Sequence, residues 1–143
     1  NVIKNYLRKM PFLILPTDSG LRQPIHAKQL AKVCSKLIHS MTISLDEYCK
    51  KYPKIIALGG DDTISYNEMV KLIKKDLILS NEKILCIIIF IPNRLFLFLA
   101  SLILIFSPRY YEAVLRISSD LSGFMTVNDI TGDKELSFPI KPK

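Results

Sequence analysis

Between Ile84 and Phe106 runs a 23-residue stretch in which only Asn93, Arg94 and Ser101 are polar. Unbroken, it would be long enough to cross a bilayer. Pro92-Asn93-Arg94 falls near its middle, however, and an arginine at that depth costs about 2.5–3.5 kcal/mol on insertion scales. The break therefore disfavours a membrane span and divides the stretch into two elements. Ile84–Ile91 (ILCIIIFI) is β-branched and almost continuously apolar, the pattern of a strand covered on both faces, and Pro92 closes it. Leu95–Phe106 predicts an apolar helix buried by protein rather than by lipid, either in a core or against a domain outside this sequence.

That much apolar chain has to be matched by enough sequence to cover it. The chain has 143 residues, 49% of them hydrophobic and 23% charged, which fits one folded domain over 1–143 and excludes general disorder. A domain of this length buries roughly 68–70% of its unfolded surface, so no covalent staple is required. Cys34, Cys49 and Cys86 are odd in number and show no ligand spacing. Neither a disulfide framework nor a metal site is indicated, and a reducing, cytoplasmic setting is expected. The net charge is 20 − 13 = +7, but the cations are spread over helix faces and connections without an arginine-rich block or interleaved aromatics. Nucleic acid is therefore not expected as a partner. The first residue is Asn1 and no secretory pattern follows it, so the chain is expected to be a fragment of a larger protein.

Periodicity places the other elements. Val2, Ile3, Tyr6, Leu7 and Met10 predict a short helix that stops at Pro11, and Phe12–Leu15 predicts a strand between two prolines. Thr17–Gly20 is turn chemistry. Leu30, Val33, Cys34, Leu37 and Ile38 give a helix over 27–40 with Lys28, Lys32 and Lys36 on its wet side. Met41–Tyr52 is expected to be a connection holding one helical turn near Leu45–Cys49. Lys54–Leu58 predicts a strand ending at Gly59-Gly60. Ser65 and Glu68 form a capping-box pair opening a helix that ends among Lys74, Lys75 and Asp76. Another helix begins at Pro108, a polar connection covers 120–132, and 138–143 is a basic, proline-spaced tail. Alternation of these elements predicts an α/β or α+β fold with about three short strands and four to five helices.

Few residues suggest chemistry. Gly60-Asp61-Asp62 is read as a turn rather than a metal motif. His26 precedes a helix and is expected to make a local hydrogen bond, while His39 is expected to meet the carbonyls at that helix's end. Neither has a nucleophile at triad spacing. Arg22 is more informative because it stands in a proline-restricted, extended stretch directly before a helix, from which a guanidinium can hold a phosphate through two parallel hydrogen bonds. The alternative is that Arg22 pairs with Asp18 or with a carbonyl near the Gly20 turn.

The order of these pieces resembles the extended short-chain dehydrogenase/reductases, the NAD-dependent nucleotide-sugar epimerases and dehydratases. Arg22, the spacer Gln23-Pro24, the pair Ile25-His26 and a following helix match one family passage, although Lys28-Gln29 stands where the family usually has an acid. Ile56–Met69 is similar to the passage in which a strand ends at Gly, a Ser-Tyr pair opens a helix and Glu-Met follows. The strand, Ile-Pro and apolar helix of 84–106, then Arg116, Asp120 and a Phe-Pro tail, resemble the family's C-terminal end.

The family's Gly-rich turn after its first strand is absent from this chain. So is its Tyr-x-x-x-Lys: four residues beyond the six tyrosines stand Met10, Tyr52, Ile56, Val70, Val114 and Leu115. The resemblance thus implies the substrate-binding C-terminal part of a Rossmann-type isomerase or dehydratase of polysaccharide biosynthesis, with the dinucleotide-binding domain and catalytic residues elsewhere. It implies Arg22, Gln23, His26 and Arg116 as substrate-binding residues, NAD or NADP in the parent enzyme but none bound here, and a homodimer through apolar helices. A competing reading is a non-enzymatic helical interaction module that docks through 95–106.

Overall fold

Phe12–Pro16 lies between prolines and is too short to sustain a helix, and it forms strand β1, pairing in parallel with a second apolar strand far along the chain. The computed structural model describes residues 2–132 and 138 and divides the chain into two compact units, Asn1–Arg22 with Ile64–Asp120, and Gln23–Thr63 with Leu121–Lys143. The first unit contains α1 (Val2–Lys9), β1, β2 (Leu21–Arg22), β3 (Ile64–Ser65), α4 (Tyr66–Leu79), β4 (Ile87–Ile91), α5 (Asn93–Phe106) and α6 (Pro108–Ser118). The second contains α2 (Ala27–Ile43), α3 (Leu45–Lys51) and α7 (Val127–Thr131).

In the first unit Phe12 stands opposite Ile87 and Pro16 opposite Ile91, while β2 and β3 make a separate antiparallel ribbon, Leu21 with Ser65 and Arg22 with Ile64. Leu7, Leu15, Val70, Leu77 and Cys86 are the buried centre. α1 is tied to α4 and the segment after it by Lys4–Asp76 at 3.2 Å and by a two-pronged Arg8–Glu82 pair at 2.6 Å. α4 begins as the capping box requires, with Ser65 Oγ accepting from the Glu68 N–H and Glu68 accepting from the Ser65 N–H. It continues to Leu79, beyond the expected end, because Ile73 and Leu77 extend the buried stripe past the lysines. Pro108 occupies the first turn of α6, where its missing N–H is no loss.

In the second unit Val33, Tyr52, Val127 and Ile130 form the core, with Leu37, Tyr48 and Ile56 packed against it. Ser44 ends α2 and caps α3, so the expected connection over 41–52 is mostly helical. α2 thus runs four residues past His39, which removes this side chain from the last turn where it was expected. Within the expected connection over 120–132, Thr126 and Asp129 make a reciprocal cap that nucleates α7. Lys54–Leu58 is not a strand. A lone parallel bridge joins Leu58 to Met125, and Ile55 is 87% exposed, because an apolar run without a neighbouring strand has nothing to complete a ladder.

The class is therefore mixed α/β, with seven helices and two two-stranded sheets among the described residues, where about three strands and four to five helices were expected. No helix among them is long and apolar enough to cross a membrane. α5 buries Phe96 and Ala100 but exposes Phe98 (61%) and Ile105 (79%), so the described residues cover only part of the helix expected to be buried by protein. Of the tail 138–143 only Phe138 is within the described residues.

Candidate functional site

The turn after β1 leads directly into the short ribbon, and that connection positions Arg22. Gly20 makes it possible: its N–H donates to the Ile117 carbonyl at 3.0 Å, and its own carbonyl accepts from the Tyr66 N–H at 3.0 Å. A Cβ at this position would collide with the Ser119 carbonyl. Beyond it, the Leu21 N–H donates to Asp120 Oδ1 at 2.8 Å, which fastens the ribbon to the segment after α6.

On this frame the Arg22 guanidinium gathers backbone carbonyls. Nη1 donates to Leu21 at 2.6 Å and to Ser119, and Nη2 donates to Arg116. The guanidinium carbon also lies 5.5 Å from the centre of the Tyr66 ring, within cation–π range. Arg22 and Arg116 are thus brought together, but through the Arg116 main chain; Asp18 is not among the Arg22 partners, whereas the alternative expectation of a carbonyl near the Gly20 turn is met by Leu21. Burial pulls the Arg22 guanidinium below the ordinary arginine value, against the opposing pull of Tyr66 and Asp120. Burial likewise pushes the Tyr66 phenol up, against the opposing pull of Arg22.

Gln23 and His26 lie in the second unit and have local partners there. Gln23 Oε1 accepts from the Phe124 N–H at 2.8 Å, and its amide packs where a Cβ on Gly59 would stand. His26 caps α2: Nδ1 accepts from the Lys28 N–H at 3.1 Å, while Gln29 Oε1 accepts from the His26 N–H at 2.9 Å. The local hydrogen bond expected of His26 is therefore present, and Gln29 completes the capping box. Asp61 accepts from the Asn128 N–H and Asp62 from the Phe138 N–H, so both hold backbone rather than converging on one point.

Outside the carboxyl end of β1 lies a polar crevice of about 330 Å³, lined by Asp18, Ser19, Ser65, Asn67, Glu68 and Lys71 among others. Sequence reasoning did not single out Asn67 or Ser19. Asn67 follows the cap of α4 and is 8% exposed; its Nδ2 donates to the Pro16 carbonyl at 2.8 Å, which orients its buried Oδ1 away from that carbonyl and without a partner. The visible signal was a polar residue in the first turn of a helix that follows a strand end. Compared with protein-family models, curated proteins and solved structures, the chain matches none.

Proposed function

We propose that this chain is the substrate-side portion of an NAD(P)-dependent nucleotide-sugar epimerase, dehydratase or reductase of the short-chain dehydrogenase type, and that it positions substrate without carrying the redox chemistry. The observation that carries this reading is that the Arg22 guanidinium reaches the main chain of Arg116, 94 positions on, while Asp120 holds the Leu21 N–H of the same ribbon, which follows a parallel strand. In open parallel sheets, ligands bind outside the carboxyl ends of the strands; the polar crevice opens there, lined by Ser65, Asn67 and Lys71 rather than by Arg22 or Arg116.

In this reading Arg22 meets the substrate diphosphate with the Nε hydrogen and the second Nη2 hydrogen, which its carbonyl partners leave available. Arg116 of the same unit is assigned to the substrate wall, while Gln23 and His26, expected there from the resemblance, lie in the second unit with local partners. The parent enzyme's dinucleotide does not fit the residues present here. β1 runs into a ribbon instead of a helix, and the first-turn N–H groups of α4 at Asn67 and Glu68 are already taken by Ser19 Oγ and Ser65 Oγ. A pyrophosphate would find no free helix terminus at that point.

Titration with UDP-glucose, followed by backbone amide shifts, tests the proposal. Shifts at Arg22 and Arg116, weakened about tenfold by Arg22→Lys because a lysine keeps the charge and loses the fork, are the expected result. Absence of shifts at millimolar UDP-glucose, or an Arg22→Lys protein with unaltered affinity, refutes the assignment. A second reading, an interaction module docking through 95–106, draws on the exposure of Phe98 and Ile105.

A further inference from the structure

The open edge of β1 has its own recognition chemistry. The Ile87 N–H donates to the Pro11 carbonyl and the Thr17 N–H to the Ile91 carbonyl, each at 2.9 Å. In a parallel ladder alternate residues face the partner strand, so Leu13 and Leu15 also face β4 while Phe12, Ile14 and Pro16 turn their backbone groups the other way. Asn67 Nδ2 satisfies the Pro16 carbonyl on that far side. No other strand among the described residues pairs with β1 there, since its sheet consists of β1 and β4 alone.

Along this edge lies an apolar groove of about 530 Å³. Leu13 and Ile14 both line it. Consecutive strand residues point to opposite faces of a sheet, so a groove that both reach runs beside the strand rather than over one face. Its walls come from α1, through Val2 and Tyr6, and from the α5–α6 pair, through Leu99 and Val114. No charged residue lines it.

We propose that this groove is a docking site for one uncharged, apolar polypeptide strand, which extends the sheet beside β1 by hydrogen bonding to Phe12 and Ile14. The floor offers backbone donors and acceptors that a backbone can pair in register, and this favours an extended segment over a helix or an acyl chain. Apolar walls on both sides require apolar side chains on both faces of the incoming strand, and the neutral lining excludes a charged one. A second copy of this chain fits poorly because its own β1 edge is recessed between the same helices, and two recessed edges cannot enter each other. The inference does not depend on what the polar crevice binds, so the UDP-glucose titration and the strand test fail independently.

The probe is an acetylated and amidated peptide without charge, Gly-Thr-Val-Ile-Val-Thr-Gly, with the same peptide N-methylated at its five central residues as control. Hydrogen exchange of the 143-residue protein is followed by NMR. At saturating peptide, amide exchange at Phe12 and Ile14 is expected to slow about tenfold or more, with Ile88 and Phe90 on the outer edge of β4 unchanged. The N-methylated peptide should do nothing, and Ile14→Lys, with its fold checked by thermal melting, should weaken binding about tenfold or more. Equal binding of the N-methylated peptide would reduce the site to a greasy surface and overturn the proposal. So would protection at Ile88 and Phe90 instead, protection of Phe12 and Ile14 in a dimer before any peptide is added, or absence of protection at peptide saturating by solubility.

Discussion

Arg22 shows how one side chain can hold three main-chain carbonyls together, and under the proposed function it would also meet a ligand. Its carbonyl partners fix the ribbon, and the N–H groups left over define what a ligand would meet. The pair Ser65 and Glu68 is simpler, and its effect has a sign that can be worked out. Hydrogen bonds from Ser65 hold the Glu68 carboxyl below its ordinary value. A carboxylate lowered in the folded state contributes stability that is present above its unfolded value and lost as pH falls through the folded one, so the contribution fades below about pH 4.5. Glu68→Gln keeps an acceptor for the cap but cannot titrate. Acid-unfolding curves of the two proteins should therefore converge as pH falls below 4, and a constant gap between them would show that Glu68 acts through packing. Ser65→Ala removes the cap itself and should lower stability by about 1 kcal/mol at neutral pH, read by urea unfolding.

α4 is the element on which the first unit most depends. Its buried stripe of Val70, Ile73 and Leu77 faces the core, and its outer turns bring Asp76 to Lys4 of α1. Leu77 is 1% exposed, so Leu77→Ala leaves a cavity that the surrounding side chains fill only in part. A loss of about 2–5 kcal/mol is expected by denaturant titration, and a loss under 1 kcal/mol would mean that α4 can slide to refill the space. The apolar run over 54–58 makes the opposite point. Five residues suited to a strand stay irregular because, among the described residues, ladder bonding reaches only the end of the run, where the Met125 N–H donates to the Ala57 carbonyl and the Gly59 N–H to the Met125 carbonyl.

For the molecule as a whole, the exposed side of α5 governs solution behaviour. Phe98 and Ile105 stand beside Leu102 in a helix without an acidic residue. Apolar surface of this extent drives association. Expressed without detergent, the protein should remain in the soluble fraction as a self-associated species. The double substitution Phe98→Lys, Ile105→Lys should shift its light-scattering mass toward the monomer. Quantitative recovery in the membrane fraction, or an unchanged mass in the double variant, would show that the α5 face does not bring copies together.

Local chemistry was legible in the sequence because it acts over a few residues. The cap at Ser65, the strand between Pro11 and Pro16, the apolar helix after Pro92 and the hydrogen bond of His26 each depend on neighbours within four or five positions. The pairing of β1 with β4, the meeting of Arg22 with the carbonyls of Arg116 and Ser119, and the burial of Asn67 depend on segments about 50 to 100 residues distant. Only closure of the chain brings those groups together. The same distinction explains why 54–58 reads as a strand and is not one: its propensity is local, but a strand exists only when another supplies the second half of its hydrogen bonds.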